Sequence, residues 1–119
     1  MRYALLIYAN EQEWASQSEE QSQAQFDEYM AFTKDIVDRG IQKGGEALQA
    51  TSTATTVRVR DGQTMTTDGP FAETKEQLGG FYVVECKDLD EAIELAARIP
   101  DARSGSVEIR PVMEIDMPA

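Results

Sequence analysis

Residues 3–9, YALLIYA, are apolar on both alternating faces: Tyr3, Leu5 and Ile7 on one, Ala4, Leu6 and Tyr8 on the other. Successive side chains of a strand point to opposite faces of its sheet. A pattern apolar on both therefore predicts a central strand covered on two sides. Residues 79–88, GGFYVVECKD, repeat the pattern, with Phe81 and Val83 set against Tyr82 and Val84. These two strands frame the fold, and the remaining elements are arranged around them.

After a predicted loop, NEQEWASQ (10–17), Ser18 is followed three residues later by Gln21, the spacing of a capping box. Phe26, Tyr29, Met30, Thr33, Ile36 and Val37 then recur at helical spacing, and Gly40 follows Arg39 as a helix stop. A short strand is expected near 46–49. TVRVRDGQTMTT (56–67) reads as a hairpin, because Asp61-Gly62 suits a two-residue type I′ turn. Pairing across that turn puts Val57, Val59, Thr64 and Thr66 on one face, and Arg58, Arg60, Gln63 and Met65 on the other. After the second central strand, Asp88 and Glu91 repeat the cap spacing. Leu89, Ala92, Ile93 and Ala96 give a helix its apolar stripe, and Pro100 ends it. SVEIRPVMEI (106–115) alternates as a last strand, with Pro111 marking an edge or bulge. The order β-α-β, inserted β-hairpin, β-α-β predicts one α+β domain over residues 1–119, a ferredoxin-like sandwich.

Helices on one side of such a sandwich leave the other sheet face open, yet Leu6, Tyr8 and the Phe81–Val84 run supply apolar groups to both faces. Water on a second apolar face is costly, at roughly 1.5–3 kcal/mol per large side chain left uncovered. A homodimer with facing sheets is therefore expected, enclosing a barrel-like interior. The plain alternative is a single chain whose hairpin folds over that face.

Composition limits function. The chain has 119 residues, 41% hydrophobic and 28% charged, with 22 acidic residues against 11 basic ones and a net charge of −11. That balance argues against nucleic acid, where Lys and Arg must neutralise phosphates, and against an anionic membrane surface. No run approaches the about 20 apolar residues of a membrane span, and a single cysteine, Cys86, points to the cytoplasm. Histidine is absent, so any proton transfer falls to carboxylates, Lys, Tyr or Cys86. The carboxylates show no metal-loop spacing, and neither a bound metal nor a cofactor is expected.

The chemistry-bearing stretch is TTDGPFAETKEQLGGF (66–81), long and charged for a connection between strands. Asp68-Gly69-Pro70-Phe71 reads plainly as a turn, with Phe71 anchoring it in the core. It reads functionally as a rim, where Asp68, shielded by Phe71 and Phe81, serves as a general base or ligand anchor beside Glu73, Lys75 and Glu76. Arg58 is a second ligand candidate, as a bidentate clamp. Tyr8 and Phe81 or Tyr82 are placed on the pocket wall, and Glu46 is the candidate for a second carboxylate facing Asp68. Cys86 and Trp14 are read as packing residues.

DGPFAETKEQLGGFYVVE (68–85), with MRYALLIY (1–8), TATTVRVRDGQ (53–63) and SVEIRPV (106–112), resembles the YCII-related family, in particular its DGPF-motif branch. The resemblance spans nearly the whole chain and implies a ferredoxin-like fold forming a dimeric α/β barrel. The broader group implies a cleft with a His–Asp pair. This chain has no histidine, so only the Asp of the motif, Asp68, carries over. Proteins of this kind are also often encoded near extracytoplasmic-function sigma factors, which implies a regulatory or stress-linked setting. Two functions are thus expected to compete. One is a small-molecule binding protein or enzyme with its pocket at the dimeric barrel; the other is a non-catalytic protein-interaction module.

Overall fold

The structure is a computed structural model, and it describes residues 1–116. The expected domain boundary at 119 lies outside the described residues. In chain order the elements are β1 (Arg2–Ala9), α1 (Glu11–Ala15), α2 (Glu19–Asp38), β2 (Gln42–Ala47), β3 (Thr55–Arg60), β4 (Gln63–Asp68), β5 (Gln77–Glu85), α3 (Leu89–Arg98) and β6 (Ser106–Pro111). Short 3-10 turns lie at Thr51–Thr53 and Pro100–Arg103. A four-stranded sheet has the order β2-β5-β1-β6, antiparallel at every pairing, and β3-β4 form a separate two-stranded sheet. The doubly apolar strands β1 and β5 are the central pair. The order and the two longer helices, α2 and α3, are those of a ferredoxin-like α+β fold with a hairpin inserted between β2 and β5.

Register sorts the side chains. Tyr3, Leu5 and Ile7 sit opposite Val84, Tyr82 and Gly80 on β5, and opposite Pro111, Ile109 and Val107 on β6. That face meets the helices and holds the core: Tyr3, Leu5, Ile7, Phe32, Ile36, Val84, Cys86, Ala92, Leu95, Ala96 and Ile99. Phe32 and Tyr82 stack edge to face with ring centroids 5.3 Å apart, and the Arg98 guanidinium lies 5.2 Å from the centre of the Phe32 ring. Arg98 also bridges Asp35 at 2.9 Å, tying α3 to α2.

Local signals act as their chemistry dictates. Ser18 and Gln21 form both halves of the capping box on α2. Asp88 accepts from the Glu91 amide at 2.9 Å, while the Glu91 carboxylate accepts from the Lys87 amide at 3.2 Å, one residue before the cap. Asp61 and Gly62 both have positive φ, as a type I′ turn requires, and Val57 and Val59 face Thr66 and Thr64.

Four expectations change. The loop 10–17 contains a helical turn, α1, capped by Asn10, whose side chain accepts from the Glu13 amide at 3.1 Å. Strand β2 begins at Gln42, earlier than expected, because Gly44 and Gly45 fit against β5: a Cβ at Gly45 would meet the Phe81 carbonyl at 2.7 Å. The last strand stops at Pro111, and Met113 and Ile115 are exposed. The helix stripes are rotated. Phe32 and Ile36 carry the buried face of α2 while Phe26, Met30 and Val37 lie outside; on α3, Leu95 is buried while Leu89 and Ile93 are exposed.

The helix side accounts for only one face of the sheet. The hairpin makes no extensive contact with the four-stranded sheet, so it does not cover the other. The radius of gyration, 16.5 Å, exceeds the about 13–14 Å expected of a compact chain this long. With extents of 47 × 47 × 22 Å, the molecule is a thin slab with a projecting hairpin.

Candidate functional site on the open sheet face

The uncovered face is built by the second register set. Ala4 and Leu6 lie opposite Val83 and Phe81 on β5, and opposite Arg110 and Glu108 on β6. Register slips between Ile7 and Tyr8, where β5 carries one extra residue, Gly79, so that Tyr8 faces Leu78. On the far edge, Gly44 and Glu46 face Val83 and Phe81. The result is a half-buried apolar floor of Leu6, Phe81 and Val83 with polar groups along its margins.

One margin is a connected chain. The Tyr8 hydroxyl donates to Glu108 Oε1 at 3.3 Å, and Arg110 Nε donates to Glu108 Oε2 at 3.0 Å. Partial burial pushes the Tyr8 phenol up, and the Glu108 carboxylate pushes it further. Tyr8 therefore stays protonated and acts as a hydrogen-bond donor at neutral pH. Glu108 and Arg110 escape the sequence pattern because they read as the solvent face of an edge strand. Only antiparallel register with β1 sets them beside Tyr8.

The strand end next to Tyr8 is closed by the 69–77 loop. Ser106, opposite Tyr8, donates to Glu76 Oε1 at 2.9 Å. Beside it is a polar cavity of about 370 Å³ lined by Asn10, Glu11, Gln12, Thr51, Glu73, Thr74, Lys75 and Gln77. Its back wall is cross-braced. Glu11 accepts from the Thr51 amide at 2.8 Å and hydroxyl at 2.7 Å, and Gln77 accepts from the Glu11 amide at 3.0 Å while donating to the Thr74 carbonyl at 2.6 Å. Glu73 and Lys75 have no ion pair among the described residues, leaving both charges available at the cavity.

The expected site residues thus divide into groups. Tyr8, Phe81 and Glu46 share the open face, and Glu73 and Lys75 line the adjoining cavity. Asp68, Gly69, Pro70 and Phe71 lie at the base of the hairpin, with Asp68 exposed at the end of β4 opposite Thr55. Arg58 reaches that base as well, its guanidinium 3.5 Å from the Phe71 carbonyl. Tyr82 leaves the set: it points to the helix side, where its hydroxyl lies 2.7 Å from Thr33 Oγ1. Phe71 does not anchor the turn, being 78% exposed, and Trp14 is exposed too. Cys86 is buried as a packing residue, and burial and the nearby Glu91 push its thiol up. Among the described residues no three His, Cys, Asp or Glu side chains are grouped to hold a metal. No helix among the described residues is long and apolar enough to cross a membrane.

The model of the YCII-related domain matches residues 1–116. The chain belongs to the YCII-related family. A protein of Rhizobium meliloti (strain 1021), described as uncharacterized, is 39% identical over 114 residues, covering 94% of this chain and 92% of its own length. The YCII-related match covers the sheet, the helices and the hairpin together, so both the open face and the hairpin belong to the family domain.

Proposed function

We propose that this YCII-related protein binds a small molecule on the open face of its sheet and works as a homodimer whose open faces enclose the ligand. The supporting observation is the Tyr8–Glu108–Arg110 chain beside an uncovered apolar floor. Ligand sites are mostly apolar with a few convergent polar groups, which is the composition found here. The ligand class is a compact metabolite with an aromatic or aliphatic part for Leu6, Phe81 and Val83. Its polar group engages the phenol of Tyr8 or the carboxylate of Glu108. Lys75 and Glu73 stand at the mouth, suited to steering a charged substituent.

Asp68 remains the candidate proton acceptor at the rim. In a single chain it faces solvent, so proton transfer through it requires closure by the second copy. A thermal-shift screen against a metabolite library, run on wild type, Tyr8→Phe, Val83→Glu and Asp68→Asn, tests the proposal. A native-state ligand raises the melting temperature by mass action. The expected result is a hit weakened by Tyr8→Phe. A hit indifferent to Tyr8→Phe and to a charge at Val83 moves the site off this face.

A second function, a protein-interaction module, is favoured by the helix side. Phe26, Met30 and Val37 form an exposed stripe on α2, and a shallow groove of about 540 Å³ runs between Trp14 and Phe26 beside Glu19. With a net charge of −11 the partner would be basic, a sigma factor being one candidate, and association salt-sensitive. Pull-downs at low and high salt that recover the same proteins exclude it.

A further inference from the structure

The β3–β4 hairpin is held at its base and bare beyond it. The Gly69 amide donates to the Ala54 carbonyl at 2.7 Å, and Thr56 Oγ1 donates to the Gly69 carbonyl at 2.8 Å. Arg58 reaches the Phe71 carbonyl from the same face as Thr56. These contacts turn the arginine face toward the hairpin's own loop. The opposite face carries Thr55, Val57, Val59, Thr64 and Thr66, and all five are exposed. Val57 is 58% and Val59 59% exposed, far outside the habit of β-branched residues in a sheet. An isolated two-stranded hairpin is marginal in water, and this one lacks a covering layer of its own.

The occupant of that face follows from charge. Apart from Asp68 at its end, the valine face has no ionisable group, in a chain of net charge −11. A basic partner would be drawn to the acidic surface and gains nothing from a neutral one. A second copy of this chain meets the reverse condition: two strongly acidic molecules approach with least repulsion where neither is charged. The open sheet face offers the matching surface, since its floor of Ala4, Leu6, Phe81 and Val83 is neutral, Glu108 is compensated by Arg110 at one margin, and the charge of Glu46 stands apart on the β2 edge. We infer that the hairpin is an arm that closes on a second copy, burying Val57 and Val59 at the rim of that copy's open sheet face. Each copy thereby walls the other's ligand space, and each site is incomplete without its partner's arm.

This rests on the homodimer proposed above, and the experiment separates the two. Light scattering across a dilution series is run on wild type, Val57→Glu/Val59→Glu and Val83→Glu, with circular dichroism to confirm native secondary structure. Val57→Glu/Val59→Glu is expected to weaken association at least about hundredfold, because a carboxylate without a partner at a desolvated contact is costly. If the valine variant dimerises like wild type while Val83→Glu does not, the sheet-face dimer stands and the arm falls. A wild type that stays monomeric at millimolar concentration overturns both. Should the valine variant fail to fold, amide exchange of wild-type residues 55–68 decides. Protection lost on dilution below the dimer midpoint supports the arm, and protection independent of concentration overturns it.

Discussion

The four-stranded sheet and the β3–β4 hairpin are written in the same alphabet, with alternating apolar and polar residues and well-defined antiparallel register, yet their valines live differently. Val84 is completely buried because α2 and α3 cover its face, whereas Val57 and Val59, equally well placed in a ladder, are more than half exposed. Alternation fixes which residues share a face. It does not provide the second layer that makes a face dry, and that layer comes from elements distant in sequence or from another molecule.

The sharpest test of this contrast is a matched pair of truncations read by chemical denaturation of the dilute chain. Ile36→Ala removes a fully buried side chain between helix and sheet and is expected to cost about 2–5 kcal/mol. Val57→Ala at the same dilution is expected to change stability by only about 0.5 kcal/mol or less. A Val57→Ala cost rivalling that of Ile36→Ala would break the comparison, showing the arm already buried in the single chain.

Gly105→Ala should follow in size. Its Cβ would press on the Tyr8 carbonyl and come within 3.2 Å of the Ala9 Cα, both backbone groups with little freedom to retreat. Overpacking there is expected to cost about 1–3 kcal/mol in the same measurement. It should also displace the end of β1 that carries Tyr8, so ligand shifts should fall with it.

The smallest effect is confined to alkaline pH. Burial, reinforced by a 2.5 Å hydrogen bond to Asp101, raises the Tyr29 phenol well above its ordinary value of 10.0. A raised folded value means the native state keeps a proton that the unfolded chain releases. Its stabilisation is therefore complete below about pH 10 and is lost as pH rises through the folded value. Melting temperature should decline more steeply above pH 10 in wild type than in Tyr29→Phe, and equal slopes would remove Tyr29 as the cause.

Much of the scaffold was legible in residues 3–9 and 79–88, since two doubly apolar strands can only be central. The hairpin's register was legible because Asp61-Gly62 fixes the turn and the turn fixes the pairing, although the hairpin extends one residue further at each end than read. The helix stripes were harder: with Phe26, Met30 and Phe32 all on α2, periodicity alone admits two neighbouring apolar faces, and only packing on Tyr82 selects Phe32. The site was the least legible. Tyr8 could be named from its strand, but Glu108 and Arg110 join it through a pairing of about a hundred residues' separation that leaves no local mark. Between Phe81 and Tyr82, which alternation sets on opposite faces, the sequence could not choose; packing of Tyr82 on Phe32 leaves Phe81 for the open face.

The single tryptophan has an experimental consequence of its own. Trp14 lies on α1 rather than in the core, and its indole nitrogen donates to Gln25 Oε1 at 3.1 Å. Gln25 in turn donates to Asp101 at 3.0 Å. Intrinsic fluorescence of this molecule is thus a local gauge rather than a thermometer of global unfolding. Because α1 starts at Glu11, on the wall of the Lys75 cavity, a ligand entering there should shift the tryptophan emission, while the core reports only through its tyrosines.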